Sequence, residues 1–439
     1  MLDIKFIREH PGEVKEGCRK KGVDFDLDHL LEIDEKRRRV LMEVEELRSQ
    51  QKRMSKEIHQ TKGVAGRGPE IDEVRNLKVQ LREVERELKV IEGEFHAFMQ
   101  LIPNPPLPEV PEGKDETENV VIREVGQKPT FDFEPGDYME VAEGFDIIDT
   151  KRAAKVAGSR FGYLKGDIVL LEFALVQLAL DALRKEGFIP VIPPVMLNHK
   201  AMDGMGYLTR GGSEVYNVEK DGLYLVGTSE QSLGAMHMDE ILDQRELPRR
   251  YVAFSTCFRR EAGSYGKDTK GILRVHQFDK VEMFVFCEPE RSRGEHDFIL
   301  NMEEALVRML GIPYRVVQMC SGDLGDPAAD KRDIECWMPG MGEYRETHSC
   351  SNCTDFQARR LSIRYRARDQ ASGQSKVRFV HTLNGTAYAI GRMIIAIIEN
   401  FQQADGSILI PDALRGPMGG IERIGRSSEG WPSGRRRRS

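Results

Sequence analysis

The residues with the clearest chemical pattern lie in two apolar segments that flank a polar, glycine-bearing loop. The first segment, Tyr251–Phe258, ends in Arg259-Arg260-Glu261, and the second is Val275–Phe286. Because side chains alternate between the two faces of a strand, Arg259 and Glu261 share one face. The same rule groups five side chains of the return strand: Arg274, His276, Phe278, Lys280 and Glu282. A face this polar predicts the floor of a site for a charged ligand, and an ordinary half-exposed hairpin is the alternative.

Common nucleotide and zinc signatures are missing from the sequence. No Walker A loop occurs, and no G-x-G-x-x-G opens a strand–helix unit. If the protein uses ATP, it therefore binds the nucleotide in a site of a different kind. Cys350 and Cys353, with Cys336 and His348 as further donors, invite a zinc interpretation. Four-ligand structural zinc sites usually show a second, similarly spaced pair, which this sequence lacks. We therefore expect no zinc.

Several further segments predict the elements that position these residues. Strand-like runs dominate the middle of the chain, and two of them are Leu223–Val226 and Tyr314–Met319. Amphipathic or apolar helices are predicted over Leu170–Leu183 and Ile390–Phe401. Few crossover helices separate the strands, which favours an α+β fold with an antiparallel sheet flanked by helices over a doubly wound parallel sheet.

The N-terminal quarter carries two heptad-like runs separated by a breaker at Gly63–Pro69. The first run contains Val40, Val44, Leu47, Gln51, Met54 and Ile58. The second contains Val74, Leu77, Leu81, Val84, Leu88, Ile91, Phe95 and Phe98. Steps of three and four predict an antiparallel two-helix coiled coil in which each limb is roughly 40–50 Å long.

Basic residues are concentrated on the first helix of this arm. They include Arg37, Arg38, Arg48, Lys52, Arg53 and Lys56. A rigid arm that touches an RNA backbone is one interpretation. A solvated face offset by neighbouring glutamates is an equally good interpretation of the pattern alone.

Composition and charge limit the ligands, the cellular location and the domain organisation that the chain can have. The 439 residues carry a net charge of −7, so nucleic-acid binding must come from local basic patches. We expect no membrane span, since no apolar run reaches about 18 residues, and no signal peptide, since charges occupy the first residues. Seven cysteines suit a reducing cytoplasm. We divide the chain into an N-terminal domain (1–102, with the arm at about 30–100), a proline-rich linker (103–118), a larger domain (119–418) and a basic, disordered tail (419–439).

Three further segments carry a family resemblance. Class II aminoacyl-tRNA synthetases share three sequence motifs. Gly187–Met196 resembles motif 1, Phe258–Glu261 with Arg274–Phe278 resembles motif 2, and Asn384–Ile395 resembles motif 3. Together with Gly227–Glu230, Glu346–Arg360 and the arm, they make the chain similar to the bacterial-type seryl-tRNA synthetases, a family of class II aminoacyl-tRNA synthetases. The resemblance runs from Met1 to about Arg415. It implies the class II antiparallel sheet, with the N-terminal coiled-coil arm attached.

The resemblance implies ATP-dependent activation of L-serine to seryl-adenylate, followed by transfer to serine tRNA and to selenocysteine tRNA if the host has one. The implied catalytic residues are Arg259, Glu261 and Arg392. The implied ATP-binding residues are Arg259, Arg260, Glu261, Val275, Phe278, Glu346, Thr347, His348, Ser349 and Arg392. Glu346 and Ser349 would hold Mg²⁺ together with ATP.

Serine, tRNA and dimer roles are implied in the same way. The implied serine-binding residues are Thr228, Ser229, Glu230, Arg259, Glu282, Asn384 and Thr386, and the sequence does not say whether Glu230 or Glu282 binds the ammonium group. The arm, with Arg37, Arg38, Arg48, Lys52, Arg53 and Lys56, would lie along the long variable arm of serine tRNA. Motif 1 would form a homodimer interface, and the enzyme would be cytoplasmic.

Two other functions remain open on the same resemblance. A paralogue that delivers serine to a biosynthetic acceptor would keep the same site and differ only in its acceptor. A tRNA-binding regulatory protein without aminoacylation should have lost ligand groups, but they are retained here. One departure from the family pattern is Thr347-His348, where an apolar residue and a serine are usual; we expect His348 to point aside.

Overall fold

The computed structural model describes residues 1–60, 68–210, 212–262, 268, 270–368 and 375–425. The predicted breaker up to residue 67, most of the loop after Glu261 and the basic tail from residue 426 lie outside them. The chain divides into two compact units, Met1–Pro103 and Asn104–Ser439. Within the described residues, no helix is both long and apolar enough to cross a membrane.

The N-terminal unit is helical. Its described helices are α1 (Ile4–Glu9), α2 (Pro11–Lys20), α3 (Leu27–Gln60) and α4 (Gly68–Leu101). The long pair α3 and α4 packs along the predicted heptad positions, where Val40, Val44, Leu81 and Leu88 are buried. The coiled-coil arm is therefore confirmed. Its base is fixed by a second cluster that joins α1 and α2 to both long helices, and Ile7 and Ile102 are among its buried members.

The second unit combines helices with a large sheet. Its described helices are α5 (Tyr138–Phe145), α6 (Thr150–Ala157), α7 (Asp167–Lys185), α8 (His199–Gly204), α9 (Glu230–Ala235), α10 (Ser292–Leu310), α11 (Phe356–Arg360), α12 (Ile390–Asn400) and α13 (Asp412–Arg415). Its described strands are β1 (Val120–Val125), β2 (Ile148–Asp149), β3 (Tyr163–Leu164), β4 (Ile189–Val191), β5 (Met196–Asn198), β6 (Asn217–Val218), β7 (Leu223–Leu225), β8 (Ile241–Asp243), β9 (Arg249–Phe258), β10 (Gln277–Cys287), β11 (Tyr314–Gln318), β12 (Asp330–Met338), β13 (Glu343–Asn352), β14 (Arg364–Arg368), β15 (Ser375–Phe379), β16 (His381–Ala389), β17 (Ile408–Leu409) and β18 (Arg423–Ile424).

The main sheet has eight strands in the order β1-β11-β12-β13-β16-β10-β9-β4. All of its pairings are antiparallel except β4 with β9, which confirms the predicted sheet type. One face of β10, with Val281 and Met283, is buried against α7, α10 and α12. Gly385 of β16 lets α10 approach closely, because a Cβ there would lie 2.2 Å from Ile299 Cγ2. These three helices therefore cover one side of the sheet, and part of the other side is left for a site.

The proline-rich stretch predicted as a linker is packed onto the second unit from Asn104 onward. The Asn104 side-chain amide donates to the carbonyl oxygens of Pro327 and Cys353, at 2.9 Å each. Val110 joins an apolar cluster with Val317 and Met319. Proline removes backbone donors, but it does not prevent side-chain anchoring of this kind.

Candidate active site

A cavity of about 670 Å³ opens on the face of the main sheet opposite the one that carries Val281 and Met283. Even-numbered residues of β10 line it, as alternation predicted: Phe278, Lys280 and Glu282. Most of the predicted ligand positions meet there: Thr228, Glu230, Arg259, Glu261, Val275, Phe278, Glu282, Glu346, Thr347, Ser349, Asn384, Thr386 and Arg392. These positions are separated by up to 164 residues in sequence, from Thr228 to Arg392, so the sheet brings them together.

Strand register builds one end of the cavity around a buried carboxylate. Glu282 lies opposite Thr386 on β16, and the Thr386 hydroxyl donates to its Oε2 at 3.3 Å. Lys280 Nζ lies 2.5 Å from the same oxygen. Glu282 is only 1% exposed. Two fixed donors therefore hold this carboxylate on the cavity floor.

A second carboxylate, Glu230 at the start of α9, belongs to the same end of the cavity. The Tyr207 hydroxyl donates to its Oε2 at 2.7 Å, and Gln357 Nε2 donates to its Oε1 at 3.0 Å. Burial and the charge of Glu282 raise the pKa of Glu230, against the effect of those two hydrogen bonds. A small polar ligand at this end would therefore meet two carboxylates. Glu282 is paired with a lysine, whereas Glu230 is held by neutral hydrogen-bond donors.

The end of β9 positions Arg259 against the cavity. Its Nε donates to the carbonyl oxygen of Gly227 at 3.1 Å, and its guanidinium carbon lies 5.2 Å from the centroid of the Phe278 ring. The neighbouring Glu261 accepts a hydrogen bond from Arg274 Nη1 at 2.7 Å. A guanidinium anchored through its Nε leaves its terminal nitrogens available to an anion.

A network of charges lies across the cavity on β12, β13 and α12. Arg392 Nη1 donates to the backbone oxygen of Glu346 at 2.8 Å and lies 3.2 Å from its carboxylate. Arg392, Lys331 and Arg259 lower the pKa of the Glu346 carboxyl, and their charges outweigh the opposing effect of its partial desolvation in the cavity. Lys331 lies 3.3 Å from Asp333 Oδ2 and also lines the cavity. The carboxylate of Glu346 is therefore ionised at neutral pH.

A β-bulge explains which neighbours of Glu346 reach the cavity. Glu346 lies opposite Glu335 and His348 opposite Ile334, so Thr347 is an extra residue in β13. The extra residue reverses the alternation and turns Ser349 toward the same side as Glu346. His348 is buried instead, with its Nδ1 2.8 Å from Thr347 Oγ1. Burial lowers the pKa of His348 to about 3, so the imidazole is neutral.

Four residues of the predicted pattern lie away from the cavity lining in the described part of the chain: Ser229, Arg260, His276 and His348. Ser229 is fully buried, and the backbone N–H of Arg260 donates to Glu214. His276 precedes β10, which begins at Gln277, two residues later than predicted. Its Nδ1 lies 3.0 Å from the carbonyl oxygen of Arg259.

Sequence reasoning assigned no role to four cavity or supporting residues: Tyr207, Lys331, Asp333 and Gln357. None stands in a motif with unusual spacing. Gln357 lies inside the stretch 346–360 that contributes to the family resemblance. The local signal for Lys331 and Asp333 was the run of four charged residues, Asp330–Asp333, at the start of β12.

The basic residues predicted to contact RNA lie on α3 in the N-terminal unit. Arg48 pairs with Glu85 of α4 at 2.7 Å, and Arg37 pairs with Asp34 and stacks over Phe95 at 4.5 Å. Arg38 also pairs with Asp34. Lys52, Arg53 and Lys56 are exposed. The last three have the accessibility that contact with an RNA backbone needs.

Family comparisons agree with this architecture. Residues 214–401 match the tRNA synthetase class II core domain (G, H, P, S and T), and residues 1–106 match the seryl-tRNA synthetase N-terminal domain. The fold and site thus define a class II aminoacyl-tRNA synthetase.

Full-length relatives narrow the class to one family. A serine–tRNA ligase of Dictyoglomus turgidum is 47% identical over 97% of this chain and 99% of its own length. A seryl-tRNA synthetase from Pyrococcus horikoshii, solved in complex with ATP, has a TM-score of 0.87 at 41% identity, over 97% of this chain and 99% of that one. A cytoplasmic serine–tRNA ligase from Naegleria fowleri, solved with AMP, has a TM-score of 0.84 at 34% identity, over 97% and 98%. The chain belongs to the seryl-tRNA synthetase family.

Proposed function

We infer that this chain activates L-serine with ATP to form seryl-adenylate and then transfers serine to the 3′ end of serine tRNA. One observation supports this inference most strongly. The guanidinium of Arg259 and the ring of Phe278 line the same cavity as two buried carboxylates, those of Glu230 and Glu282. Selenocysteine tRNA is proposed as a second acceptor where the host has one. A cytoplasmic location follows from this activity.

The chemistry of the first step requires charge stabilisation more than proton transfer. The serine carboxylate attacks the α-phosphorus in line, an oxygen–phosphorus bond forms, and pyrophosphate leaves. Negative charge builds on the α-phosphate, where Arg259 is placed to bind it, with Arg392 toward the other phosphates. Phe278 provides a stacking surface for adenine, and Glu261 with the backbone of Val275 would hold the base. In the second step a ribose hydroxyl at the 3′ end of the tRNA attacks the carbonyl carbon of seryl-adenylate. An ester bond forms, the bond from that carbon to the phosphate oxygen breaks, and AMP leaves, with the hydroxyl proton passing to its phosphate. Positioning supplies most of the catalysis.

Residues present in the cavity fit a magnesium ion that arrives with ATP. Glu346 is an ionised carboxylate and Ser349 a hydroxyl, both lining the cavity, and hard cations prefer oxygen ligands. Within the described residues, no cluster of three or more histidine, cysteine, aspartate or glutamate side chains could hold a metal by itself. Phosphate oxygens of ATP and water would complete the coordination. The ion would draw charge from the phosphates, while Glu346 and Ser349 orient them.

Selectivity for serine is proposed to rest on Thr228, Glu230, Glu282, Asn384 and Thr386. A buried polar pocket rejects alanine because its donors and acceptors would lose their partners. Threonine is rejected because the pocket is small. Lys280 neutralises part of the charge of Glu282, so that one substrate ammonium does not face two unbalanced carboxylates.

Replacement Glu282→Gln is expected to raise the KM for serine by roughly 10- to 100-fold, since a hydrogen bond to a charged group contributes about 1.5–3 kcal/mol. The KM for ATP should change by less than about threefold. Both are measured by exchange of labelled pyrophosphate into ATP. Glu290→Gln, an exposed glutamate elsewhere in this unit, is the matched control. Equal losses for serine and ATP would remove Glu282 from the serine pocket.

A homodimer is proposed through the motif 1 region. Large apolar side chains are exposed there: Phe173 on α7 is 59% exposed, and Ile192, which follows β4, is 78% exposed. Exposed apolar groups close together mark association surfaces. Ile192→Glu should therefore convert a particle of twice the 50.0 kDa chain mass into a monomer in light scattering. Val90→Glu, at a comparably exposed position on the arm, should leave the mass unchanged; a dimer that survives Ile192→Glu would place the interface elsewhere.

The experiment that tests the function is pyrophosphate exchange across the twenty amino acids, followed by charging of unfractionated tRNA. Serine should be the preferred amino acid, and serine-accepting tRNA should be the species charged. Exchange with serine but no tRNA charging would favour the paralogue that serves a biosynthetic acceptor. Loss of exchange would favour the regulatory paralogue, which the retained ligand groups argue against.

A further inference from the structure

The small sheet β15-β14-β8 packs in one apolar cluster with the part of β10 that follows the cavity-lining residues. Along β10, Phe278, Lys280 and Glu282 line the cavity, and the next residues of the same parity, Phe284 and Phe286, are buried in a separate apolar cluster. Tyr365 of β14 belongs to that cluster and is fully buried. The inner face of the small sheet therefore packs beside the cavity, and its outer face points away from the main sheet.

The outer face of the small sheet is basic in a chain of negative net charge. Arg366 of β14 lies opposite Val377 of β15 and Asp243 of β8, and Arg368 is two residues further along the same face. Both arginines are exposed. Lys376 of β15 is also exposed, but it lies opposite Ala367 and therefore on the other face of the hairpin, near its end. The three strands and the short helical turn Gln244–Glu246 carry six cationic and only two acidic side chains.

The two acidic groups on these elements already have cationic partners. Arg245 Nη2 donates to Asp243 at 2.5 Å, and Arg249 lies 3.4 Å from Glu246. Within the described ranges, Arg366 and Lys376 have no ion-pair partner, so their charge is available to a ligand. Val377 and Ile241, 48% and 42% exposed, interrupt the basic face with apolar surface. A mixed face of this kind suits a sugar–phosphate backbone, which presents regularly spaced anions and ribose carbons.

We propose that the outer face of the small sheet, with Arg366 and Arg368, and the adjoining edge of the hairpin, with Lys376, bind the phosphate backbone of the tRNA whose 3′ end enters the cavity. The inference rests on the proposed function, because it takes the aminoacyl acceptor as the ligand. RNA presents its phosphates on a rigid helix, so a basic surface next to the reaction site fixes the approach of the acceptor end. The contact is electrostatic and independent of base sequence. It lies in the catalytic unit and is separate from the contacts proposed for the arm.

The test is the triple variant Arg366→Gln, Arg368→Gln and Lys376→Gln in the full chain. Its matched control removes the same charge from three exposed lysines of this unit: Lys114, Lys155 and Lys185. The Kd for serine tRNA is measured against salt concentration, and pyrophosphate exchange is measured without tRNA. We expect exchange within about twofold of wild type, a Kd at least about tenfold higher, and a salt slope reduced by about two, since each phosphate contact contributes roughly 0.7–0.9 to the slope.

Other outcomes overturn the proposal in distinguishable ways. A triple variant with the Kd and salt slope of the control would show that RNA does not use this face. Loss of dimer mass with unchanged tRNA affinity would assign the face to a second copy of the chain. If the triple variant lost exchange through misfolding, the single variant Arg366→Gln should still reduce the slope by about one, and an unchanged slope would refute the contact. Failure of the proposed function would give a different result from failure of this contact. The wild-type protein itself would then neither exchange pyrophosphate with serine nor charge tRNA.

Discussion

Arg259→Ala is expected to reduce serine-dependent pyrophosphate exchange by about 10²- to 10³-fold or more, because a preorganised donor to the developing charge is lost. The expectation follows from the position of the guanidinium at the end of β9, held by the Gly227 carbonyl oxygen. Its charge also helps to keep the carboxylate of Glu346 ionised. Loss of the side chain should therefore weaken both ATP placement and transition-state binding, and the KM for serine should rise as well.

Two further variants make this result specific. Arg259→Lys keeps the positive charge but loses the planar fork, and it should recover only part of the activity. Arg82→Ala removes an exposed arginine of the arm and should leave exchange unchanged. Near-normal exchange by Arg259→Ala would exclude Arg259 from the reaction centre.

Shortening the arm is the second change with a large expected effect. Removal of residues 41–84, closed by a short glycine–serine turn, should leave exchange within about twofold but lower kcat/KM for serine tRNA by about 10²-fold or more, as expected when several phosphate contacts are lost. The design keeps the base of the coiled coil, where Lys36 pairs with Glu87 at 3.3 Å and His29 lies 3.8 Å from Glu94. Ile33, Ile91 and Phe95 are retained there as well.

The full-length chain with Lys52, Arg53 and Lys56 each changed to glutamine is the companion to the shortened arm. It keeps the coiled coil and removes only exposed charge, so it should lower tRNA affinity and the salt dependence together. Charging with normal tRNA affinity by the shortened protein would show that the arm has no part in acceptor binding.

Sequence periodicity predicted the parts of the fold that depend on local pattern. The heptad seam through Val44 and Leu88 placed the arm, because a buried stripe repeating at three and four residues determines how two helices pack. Alternation along β10 predicted that Phe278, Lys280 and Glu282 share the cavity face. The order and spacing of the class II segments supplied the rest of the family assignment.

Features set by pairing between distant strands were not predictable in the same way. The bulge at Thr347 separates Glu346 and Ser349 from His348, and a bulge leaves no mark in local composition. The partners of Glu230 were also missed, because Tyr207 and Gln357 lie 23 and 127 residues away in sequence. Anchoring of Asn104 depends on carbonyl oxygens more than 200 residues downstream, so proline content predicted a linker but not its packing onto the second unit.

The most direct measurement is the crystal structure of the protein soaked with a non-hydrolysable mimic of seryl-AMP. We expect its adenine against Phe278, its phosphate position beside Arg259, and its seryl group between Glu282 and Thr386. Electron density for the compound at any other place on the molecule, with this cavity empty, would contradict the proposed reaction centre.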